Sequence, residues 1–262
     1  MAKRSITWKL LLRPAIVLFL IWISFILAIK IIRFIWPSIT KPRTENYRSF
    51  GIVPPSGYPI LGIDVSRHQE DIDWKRVDSM RSDGKRISFV FIKATEGISR
   101  QDPSFERNWK TIKNTQLIRG AYHFYYPSRD ALKQARNFIT QVKLIKGDLP
   151  PVVDIEHSRG RSRKKICEGL SAFLKELENK YKVKPLIYTN LSFYNDYLAG
   201  EFDQYPLWIS CYFDEDRFRT SCNHKWIFWQ YSELGNVNGI SGNVDFNVFN
   251  GNEMDLRKLC IP

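Results

Sequence analysis

The sequence has little sulfur and little histidine: its 262 residues include four cysteines, three methionines and four histidines. The cysteines form no CxxC pair and the histidines form no HExxH motif, which are common spacings in zinc sites. Neither a metal nor a cofactor is therefore expected. The sequence also lacks low-complexity tracts and internal repeats of about 20–50 residues, so a repeat architecture is not expected.

Acidic residues are also in deficit, since 27 Asp and Glu face 40 Lys and Arg, giving a formal charge of +13. Such an excess is typical of nucleic-acid binding, but it is unevenly distributed. The first 50 residues carry nine Lys and Arg and one acid, Glu45, whereas the remaining 212 residues have a net charge of only +5. No nucleic-acid-binding motif is present, so this partner is not expected.

The longest apolar run lies near the amino terminus. Residues 14–29 contain no charge, and Arg13 and Lys30 can serve as snorkelling ends. The run thus approaches the roughly 20 residues of a membrane-spanning helix. Residues 1–36 are predicted to be a cytoplasmic stub and signal-anchor transmembrane helix in contact with membrane lipid. A cleaved signal peptide and a buried helix are the alternatives, although no small-x-small cleavage site follows the run.

The rest of the chain divides into a linker and one domain. Residues 37–59 contain five prolines and no sustained apolar period, which predicts a linker. A single domain over 60–262 is predicted to follow. Its apolar runs, which resemble buried strands, cover 60–66, 87–95, 117–125, 151–156, 185–189, 206–210, 226–232 and 244–249. Helical patterns at 105–113, 131–142 and 166–181 alternate with them, which predicts an α/β fold: an irregular TIM-like β/α barrel with a reduced helix complement.

Acidic residues fall where these runs end. Asp64 is near the end of the first run, Asp154 and Glu156 are at the end of the fourth, and Asp245 lies in the eighth. Acids that converge on the carboxyl-terminal rim of a parallel barrel indicate catalysis. Alternation along a strand places Asp154 and Glu156 on one face, with Cα atoms ~6.6 Å apart, where repulsion raises the pKa of one carboxyl. Glycoside hydrolysis uses such a pair. The alternative is that these acids cap strand ends or pair with nearby bases.

The ordered sequence blocks resemble the glycoside hydrolase family 25 lysozymes, the Chalaropsis-type N-acetylmuramidases, over roughly residues 60–250. The blocks include GIDVSRHQ (62–69), IDW (72–74), FVFIKATEG (89–97), GAYHFY (120–125), PVVDIE (151–156), PLIYTN (185–190), FWQYS (228–232) and VDFNVF (244–249). The resemblance implies a β/α barrel that hydrolyses the β-1,4 bond between N-acetylmuramic acid and N-acetylglucosamine in peptidoglycan. It implies Glu156 as general acid and Asp154 as its partner, with Asp64 and Asp245 lining the same site.

Two forms of this mechanism remain open. Asp154 either orients the substrate's own 2-acetamido group as nucleophile, which is favoured, or attacks the sugar directly. Two other functions are also considered: a chitinase-like glycosidase, whose DxxDxDxE signature is absent, and a non-catalytic cell-wall-binding protein. Peptidoglycan is the expected partner, met by a monomer whose catalytic domain lies outside the cytoplasm, at the periplasmic or cell surface. Cleavage of the amino-terminal segment would make the protein secreted.

Further candidate residues lie in the same runs. Strand-end aromatics could be sugar platforms or barrel core, and polar residues inside apolar runs could contact ligand or one another. These candidates are Tyr122, Tyr188, Trp208, Trp229, Gln230, Lys93 and Glu96. Lys93 and Glu96 could equally form a structural ion pair. Cys211 and Cys222 could form a disulfide outside the cytoplasm. The five basic residues of RGRSRKK (159–165) could steer an anionic substrate or be a solvated helix entry.

Overall fold

The computed structural model describes residues 48–212, 215–222 and 224–262. The strands are β1 (Ile60–Val65), β2 (Ile87–Glu96), β3 (Arg100–Gln101), β4 (Ile118–Phe124), β5 (Val152–Asp154), β6 (Leu186–Asn190), β7 (Leu207–Ser210), β8 (Phe228–Gly235) and β9 (Val244–Phe249). The helices are α1 (Trp74–Ser79), α2 (Phe105–Thr111), α3 (Ala131–Gln141), α4 (Arg163–Tyr181), α5 (Leu191–Phe193, continued by a π-helical turn over Tyr194–Leu198), α6 (Glu215–Ser221) and α7 (Glu253–Leu259). Short 3-10 turns cover Arg48–Phe50, Arg67–Gln69 and Ile112–Asn114.

The segment predicted to span a membrane, residues 1–36, lies outside the described residues. Within the described ranges, no helix has both the length and the apolar character needed to cross a bilayer.

Eight strands close into a barrel, which confirms the predicted α/β barrel class. The strands follow the order β1-β9-β8-β7-β6-β5-β4-β2, and pairing of β1 with β2 closes the ring, while the two-residue β3 extends the sheet beyond β2. Six neighbouring pairs in the ring are parallel: β1 with β2, β2 with β4, β4 with β5, β5 with β6, β6 with β7 and β7 with β8. The barrel departs from an all-parallel TIM barrel at β9, which is antiparallel to both β8 and β1.

The barrel interior holds an aromatic core at its amino-terminal end. Phe89, Phe91, Trp208, Phe228 and Phe249 are buried there together. Glycines on the two strands adjacent to β2 provide the space: a Cβ at Gly62 would lie 2.3 Å from the Phe89 ring, and one at Gly120 would lie 2.5 Å from the Phe91 ring. Because a real Cβ cannot approach so closely, the packing of these rings requires glycine.

A second, larger core lies between the barrel and the helices. The stripe of α4 predicted from its spacing faces this layer, since Ile166, Leu170, Phe173, Leu174 and Leu177 are buried. Burial of such an amphipathic face is the main source of helix stability in a domain of this kind.

Part of the predicted linker belongs to the folded unit. Phe50 is fully buried, with its ring centroid 5.2 Å from that of Phe246 on β9, and its carbonyl accepts a hydrogen bond from the Asn236 amide. Tyr58 packs against Trp226 and Trp229. The packed structure therefore includes Phe50 and Tyr58, which precede the boundary predicted at residue 60. The proline content of the segment predicts a linker and does not indicate that these two aromatic residues anchor it to the barrel.

Candidate active site

Asp64 and Asp245 face each other at the carboxyl-terminal end of the barrel. They are register partners in the antiparallel pair of β1 with β9, so their side chains lie close together, and the charge of Asp245 raises the pKa of Asp64. Asp64 lies near the end of β1, whereas Asp245 lies near the start of β9. The expected convergence therefore depends on the reversed direction of β9, which brings the beginning of that strand to the rim where the parallel strands end.

Asp154 and Glu156 form a second pair of neighbouring carboxyl groups on the same rim, where the charge of Glu156 raises the pKa of Asp154. Strand β5 ends at Asp154, so Glu156 lies just beyond the strand and not within it as predicted. The chain stays beside β6 for one more residue, because the Ile155 amide donates to the Tyr188 carbonyl at 2.9 Å. The Asn190 side chain reaches the Glu156 carbonyl at 3.4 Å. These contacts hold the two acids close together.

Burial raises the pKa of all four carboxyl groups. For Asp64 and Asp154, desolvation is the largest cause, followed by the charges of Asp245 and Glu156 respectively, and both pKa values lie well above the ordinary range. The pKa of Glu156 is also raised by burial, and that of Asp245 is raised to about 6. Neighbouring buried carboxylates disfavour each other's charge, so each pair retains a proton more readily than an isolated, exposed carboxyl group does. The rim can therefore keep a carboxylic acid protonated in weakly acidic solution.

A polar network positions Asp64. Its Oδ2 accepts hydrogen bonds from Gln230 Nε2 and Asn247 Nδ2, both at 2.8 Å. Gln230 Oε1 in turn accepts from the Tyr188 and Tyr212 hydroxyls, at 2.8 and 2.7 Å. Gln230 thus links an acid on one side of the barrel to two tyrosines on the other, and its amide orientation is fixed by these partners.

The carboxyl pairs open onto one cavity of about 270 Å³. Nine of the eleven sequence-predicted site residues line it: Asp64, Lys93, Tyr122, Asp154, Glu156, Tyr188, Trp208, Gln230 and Asp245. A neighbouring cavity of about 360 Å³ shares Asp64, Tyr122 and Asp245 with the first. The two cavities together make a cleft across the rim, which is the position of active sites in barrel enzymes.

Glu96 is one of the two predicted site residues that do not line the catalytic cavity. Its Oε2 accepts from Lys93 Nζ at 2.8 Å, its Oε1 accepts from the Tyr126 hydroxyl at 2.5 Å, and Arg100 lies 3.3 Å away. Although burial opposes ionisation, these hydrogen bonds and charges lower the pKa of Glu96 to about 2. The ion pair anticipated as one alternative is therefore present, with Lys93 facing the cavity.

The two tryptophan candidates differ in position. Trp208 forms the floor of the cavity, where it stacks on Phe91 with ring centroids 4.4 Å apart and donates from Nε1 to Asn247 at 2.7 Å. Trp229 points away from the cavity: its ring stacks on Phe218 of α6 at 4.1 Å. Trp229 is thus part of the outer core rather than a sugar platform, and its strand phase explains the difference.

The cavity also contains residues that the sequence reasoning missed. Tyr212, which is 51% exposed, lies two residues beyond the end of β7, and Ser66, His68 and Phe124 complete the lining. The strand-end rule could have identified Tyr212 if it had been extended into the following loop. Among the described residues, no group of three or more His, Cys, Asp or Glu side chains is arranged to hold a metal.

The disulfide suggested for Cys211 and Cys222 is not formed in the structure, where both are buried thiols. Cys222 directly follows α6, with its Sγ 3.9 Å from the His224 carbonyl oxygen, and burial raises the pKa of its thiol. The spacing that suggested the bridge therefore brings both thiols into the apolar core without joining them.

Comparisons with known proteins agree with this geometry. The sequence model for glycosyl hydrolases family 25 matches residues 63–240. Lysozyme M1 of Streptomyces globisporus is 35% identical over 229 residues, covering 81% of this chain and 74% of that protein. The uncharacterized protein YegX of Escherichia coli O157:H7 is 47% identical over 210 residues, covering 80% and 76%.

A solved structure gives the same result in three dimensions. The family 25 glycosyl hydrolase of Bacillus anthracis superposes with a TM-score of 0.70 at 32% identity, covering 78% of this chain and 95% of that structure. The barrel, its acidic rim and these similarities lead to one assignment: the chain belongs to glycosyl hydrolase family 25 and is a glycoside hydrolase.

Proposed function

We propose that the protein is a lysozyme of the N-acetylmuramidase type, which hydrolyses the β-1,4 bond between N-acetylmuramic acid and N-acetylglucosamine in peptidoglycan. Family membership and the lysozyme among the relatives support the substrate class. The observation that carries the mechanism is that the neighbouring carboxyl groups of Asp154 and Glu156 line one cavity at the cleft, with burial raising the pKa of both. A pair of carboxyl groups, one protonated, is what acid-assisted glycoside cleavage requires.

Glu156 is the proposed general acid and base. It is the more exposed member of the pair, whereas Asp154 is only 6% exposed and lies beneath it. The protonated carboxyl of Glu156 gives its proton to the leaving glycosidic oxygen as the C1–O bond breaks. The resulting carboxylate then removes a proton from the water that attacks C1, which restores the acid.

Asp154 is proposed to orient the substrate's 2-acetamido group. Its buried Oδ1 has no hydrogen-bond partner among the described residues, so this oxygen can accept the acetamido N–H. The acetamido carbonyl oxygen then attacks C1 and forms a cyclic intermediate, which water opens. Direct attack by Asp154 is the alternative, and it requires the carboxylate to leave its buried position and reach C1.

The second carboxyl pair and its network complete the proposed site. Asp64 and Asp245 raise the negative potential around the developing cationic sugar, and Tyr122 and Tyr188 offer ring surfaces and hydroxyls to the substrate. Lys93 forms an ion pair with Glu96, and its Nζ lies 4.7 Å from the centroid of the Phe124 ring. Its position allows it to hydrogen-bond a sugar substituent.

The location of the protein is part of the same proposal. Because peptidoglycan lies outside the cytoplasm, the barrel is proposed to lie there too. A membrane anchor within residues 1–36 would hold it, with a short linker between the anchor and the barrel. Protease treatment of intact and permeabilised cells tests this arrangement. Degradation of the barrel only after permeabilisation of the inner membrane would place it in the cytoplasm and contradict the proposal.

The activity test is digestion of purified peptidoglycan by the full chain, followed by reduction and mass analysis of the new sugar ends. Muramic acid at the reducing ends is expected. N-acetylglucosamine at those ends would indicate another acetamido-sugar glycosidase, and no release would contradict hydrolysis of this polymer.

Variants then test the assignment of the acid. Glu156→Gln is expected to lower kcat by about 10³-fold, within the range for loss of a general acid. Glu106→Gln on the exposed face of α2 is the matched control and should leave kcat unchanged. A Glu156→Gln enzyme with more than a few per cent of parental turnover would remove Glu156 from this role.

A further inference from the structure

A separate cavity of about 470 Å³ lies beside the catalytic cleft, and its charge is mainly positive. Its lining includes Arg100 on β3, Tyr126 and Arg129 after β4, and Arg159 three residues after Glu156. Ile98, which is 43% exposed, adds an apolar edge. Glu96 is the acid that lines it.

The charge of Glu96 is already compensated within the protein. Lys93, Tyr126 and Arg100 all contact its carboxylate. By contrast, neither Arg129 nor Arg159 forms an ion pair with any carboxylate in the described part of the chain. Arg159 instead lies over the Tyr126 ring, 5.1 Å from its centroid. Two guanidinium groups therefore remain available to a ligand.

The basic run at 159–165 does not act as one patch. Arg161 reaches the Ser128 carbonyl at 3.5 Å, Arg163 reaches the Ala199 carbonyl at 2.6 Å, and Lys165 pairs with Glu168 at 3.0 Å. Only Arg159 of this run lines the cavity beside the cleft. The structure thus selects one member of the run for a specific surface.

One ion pair separates this cavity from the catalytic one. Lys93 lines the catalytic cavity and Glu96 lines the basic cavity, and their charged atoms are 2.8 Å apart. A substituent on a sugar bound beside Lys93 can therefore extend past this pair toward Arg129 and Arg159. A ligand for the basic cavity is expected to be covalently attached to the substrate glycan.

We propose that the basic cavity binds the carboxylates of the peptide attached to N-acetylmuramic acid, an inference that rests on the proposed function. This peptide hangs from the lactyl ether of the muramic acid and carries carboxylates and small apolar side chains. Guanidinium groups match carboxylates in planar hydrogen-bond geometry, and the edge formed by Ile98 suits the apolar side chains. The cavity then distinguishes peptide-bearing glycan from bare glycan.

The test uses soluble glycan oligomers in three forms: with intact peptides, with the peptide carboxylates converted to amides, and with the peptides removed. The double variant Arg129→Gln, Arg159→Gln is expected to raise KM about tenfold on the intact form, because two charge-assisted hydrogen bonds are lost. Its kcat should stay within about twofold of the parent. On the amidated and peptide-free forms, the variant and parent should have equal KM.

Lys143→Gln, Lys146→Gln is the matched control. It removes the same charge from exposed positions in the loop before β5, at the other end of the barrel. This control should change none of the three KM values. Thermal unfolding of both double variants should lie within a few degrees of the parent, which excludes a folding defect.

Three outcomes would overturn the proposal. Equal KM for parent and variant on the intact form would show that the arginines bind no peptide. An equal loss on peptide-free glycan would place them in the glycan site itself. With cell walls that carry phosphodiester polymers assayed as a fourth substrate, a loss confined to those walls would assign the cavity to phosphate. Failure of the parent to cleave even peptide-free glycan would instead contradict the proposed function.

Discussion

Two regions of the protein bury carboxyl groups, and they treat them in opposite ways. Near the amino-terminal end of the barrel, Asp148 accepts hydrogen bonds from Arg119 Nε at 2.8 Å, from Arg119 Nη2 at 3.1 Å and from the Ile145 amide at 2.9 Å. At the opposite end, Asp64 and Asp154 are as deeply buried, but each has another acid as its neighbour. In the first region an arginine of the fold neutralises the buried carboxylate. In the second region the acids are paired with one another and face the cavity proposed for the substrate.

This contrast explains why position alone is a weak guide to catalysis. Asp148 and Asp154 are six residues apart, and both are less than a tenth exposed. Arg119 also lies against the Trp109 ring, 3.8 Å from its centroid, so the Asp148 pair is enclosed on all sides. The rim acids, which are paired with one another and not with an arginine, have raised pKa values, so they can exchange protons with a ligand.

The paired region should give the largest loss of stability. Asp148→Asn leaves the Arg119 guanidinium buried without a counter-charge, and is expected to lower the free energy of unfolding by about 3–5 kcal/mol. Urea denaturation measures this change. Glu253→Gln, which breaks the exposed pair with Arg257, should cost only about 0.3–0.5 kcal/mol. A comparable cost for both variants would remove the distinction between the regions.

The acidic rim should respond in the opposite direction. Asp154→Asn replaces a buried carboxyl group by a neutral amide. The amide has no charge to bury, and its NH₂ group can donate a hydrogen bond to Glu156. The free energy of unfolding at pH 7 is expected to rise by about 1–2 kcal/mol, while kcat falls by about 10²-fold. Thermal unfolding and turnover on the same preparation measure both effects. A loss of stability would show that the Asp154 carboxyl supports the fold.

The same rim should make stability depend on pH. The pKa of Asp245 is about 6 in the folded protein, compared with about 4 for an unfolded aspartate. Between these values the folded state retains a proton that the unfolded state has lost. The contribution of Asp245 to the free energy of unfolding is therefore fully present below pH 4 and is lost as pH rises through 6. A decrease of about 1–2 kcal/mol is expected, allowing for partial solvent screening. Asp245→Asn should flatten this slope, and an unchanged slope would assign it to other groups.

The smallest effect is expected at the margin of the rim. Tyr212→Phe removes one of the two hydroxyls that donate to Gln230, while Tyr188 keeps the other. Loss of one hydrogen bond in a partly exposed network is expected to lower kcat/KM by about fivefold without changing stability. Steady-state kinetics on soluble glycan test this. A loss of 10²-fold or more would place Tyr212 among the groups that contact the reacting sugar.

Much of the fold and the site could be predicted from local sequence patterns. Buried strands appear as continuous apolar runs, so the positions of Asp64, Asp154 and Glu156 at strand ends could be recognised directly. The reversal of β9 could not, because strand direction depends on pairing between distant segments and not on local composition. The rule that acids at the ends of parallel strands meet on one rim therefore predicts the rim of Asp245, although β9 is antiparallel and Asp245 lies near its start.

Contacts between distant residues explain the other differences. The phase of β8 turns Trp229 outward, where it stacks on Phe218 of α6, and Gln230 inward, where it donates to Asp64 of β1. The anchoring of Phe50 against Phe246 joins residues far apart in the chain. The pairing of Arg119 with Asp148 likewise brings together two segments that carry no shared motif. Such features require three-dimensional packing, which single-sequence patterns do not encode.

The reversed β9 also determines how the enzyme can meet an insoluble polymer. Because that strand runs from the rim to the closed end, Leu256 of α7 packs beneath the barrel beside Phe249, and the Ile261 amide bonds to the Asp148 carbonyl at 2.8 Å. The last residues therefore emerge on the side opposite the cleft. A surface, bead or partner domain coupled to this end would leave the open face free to settle onto a flat glycan sheet.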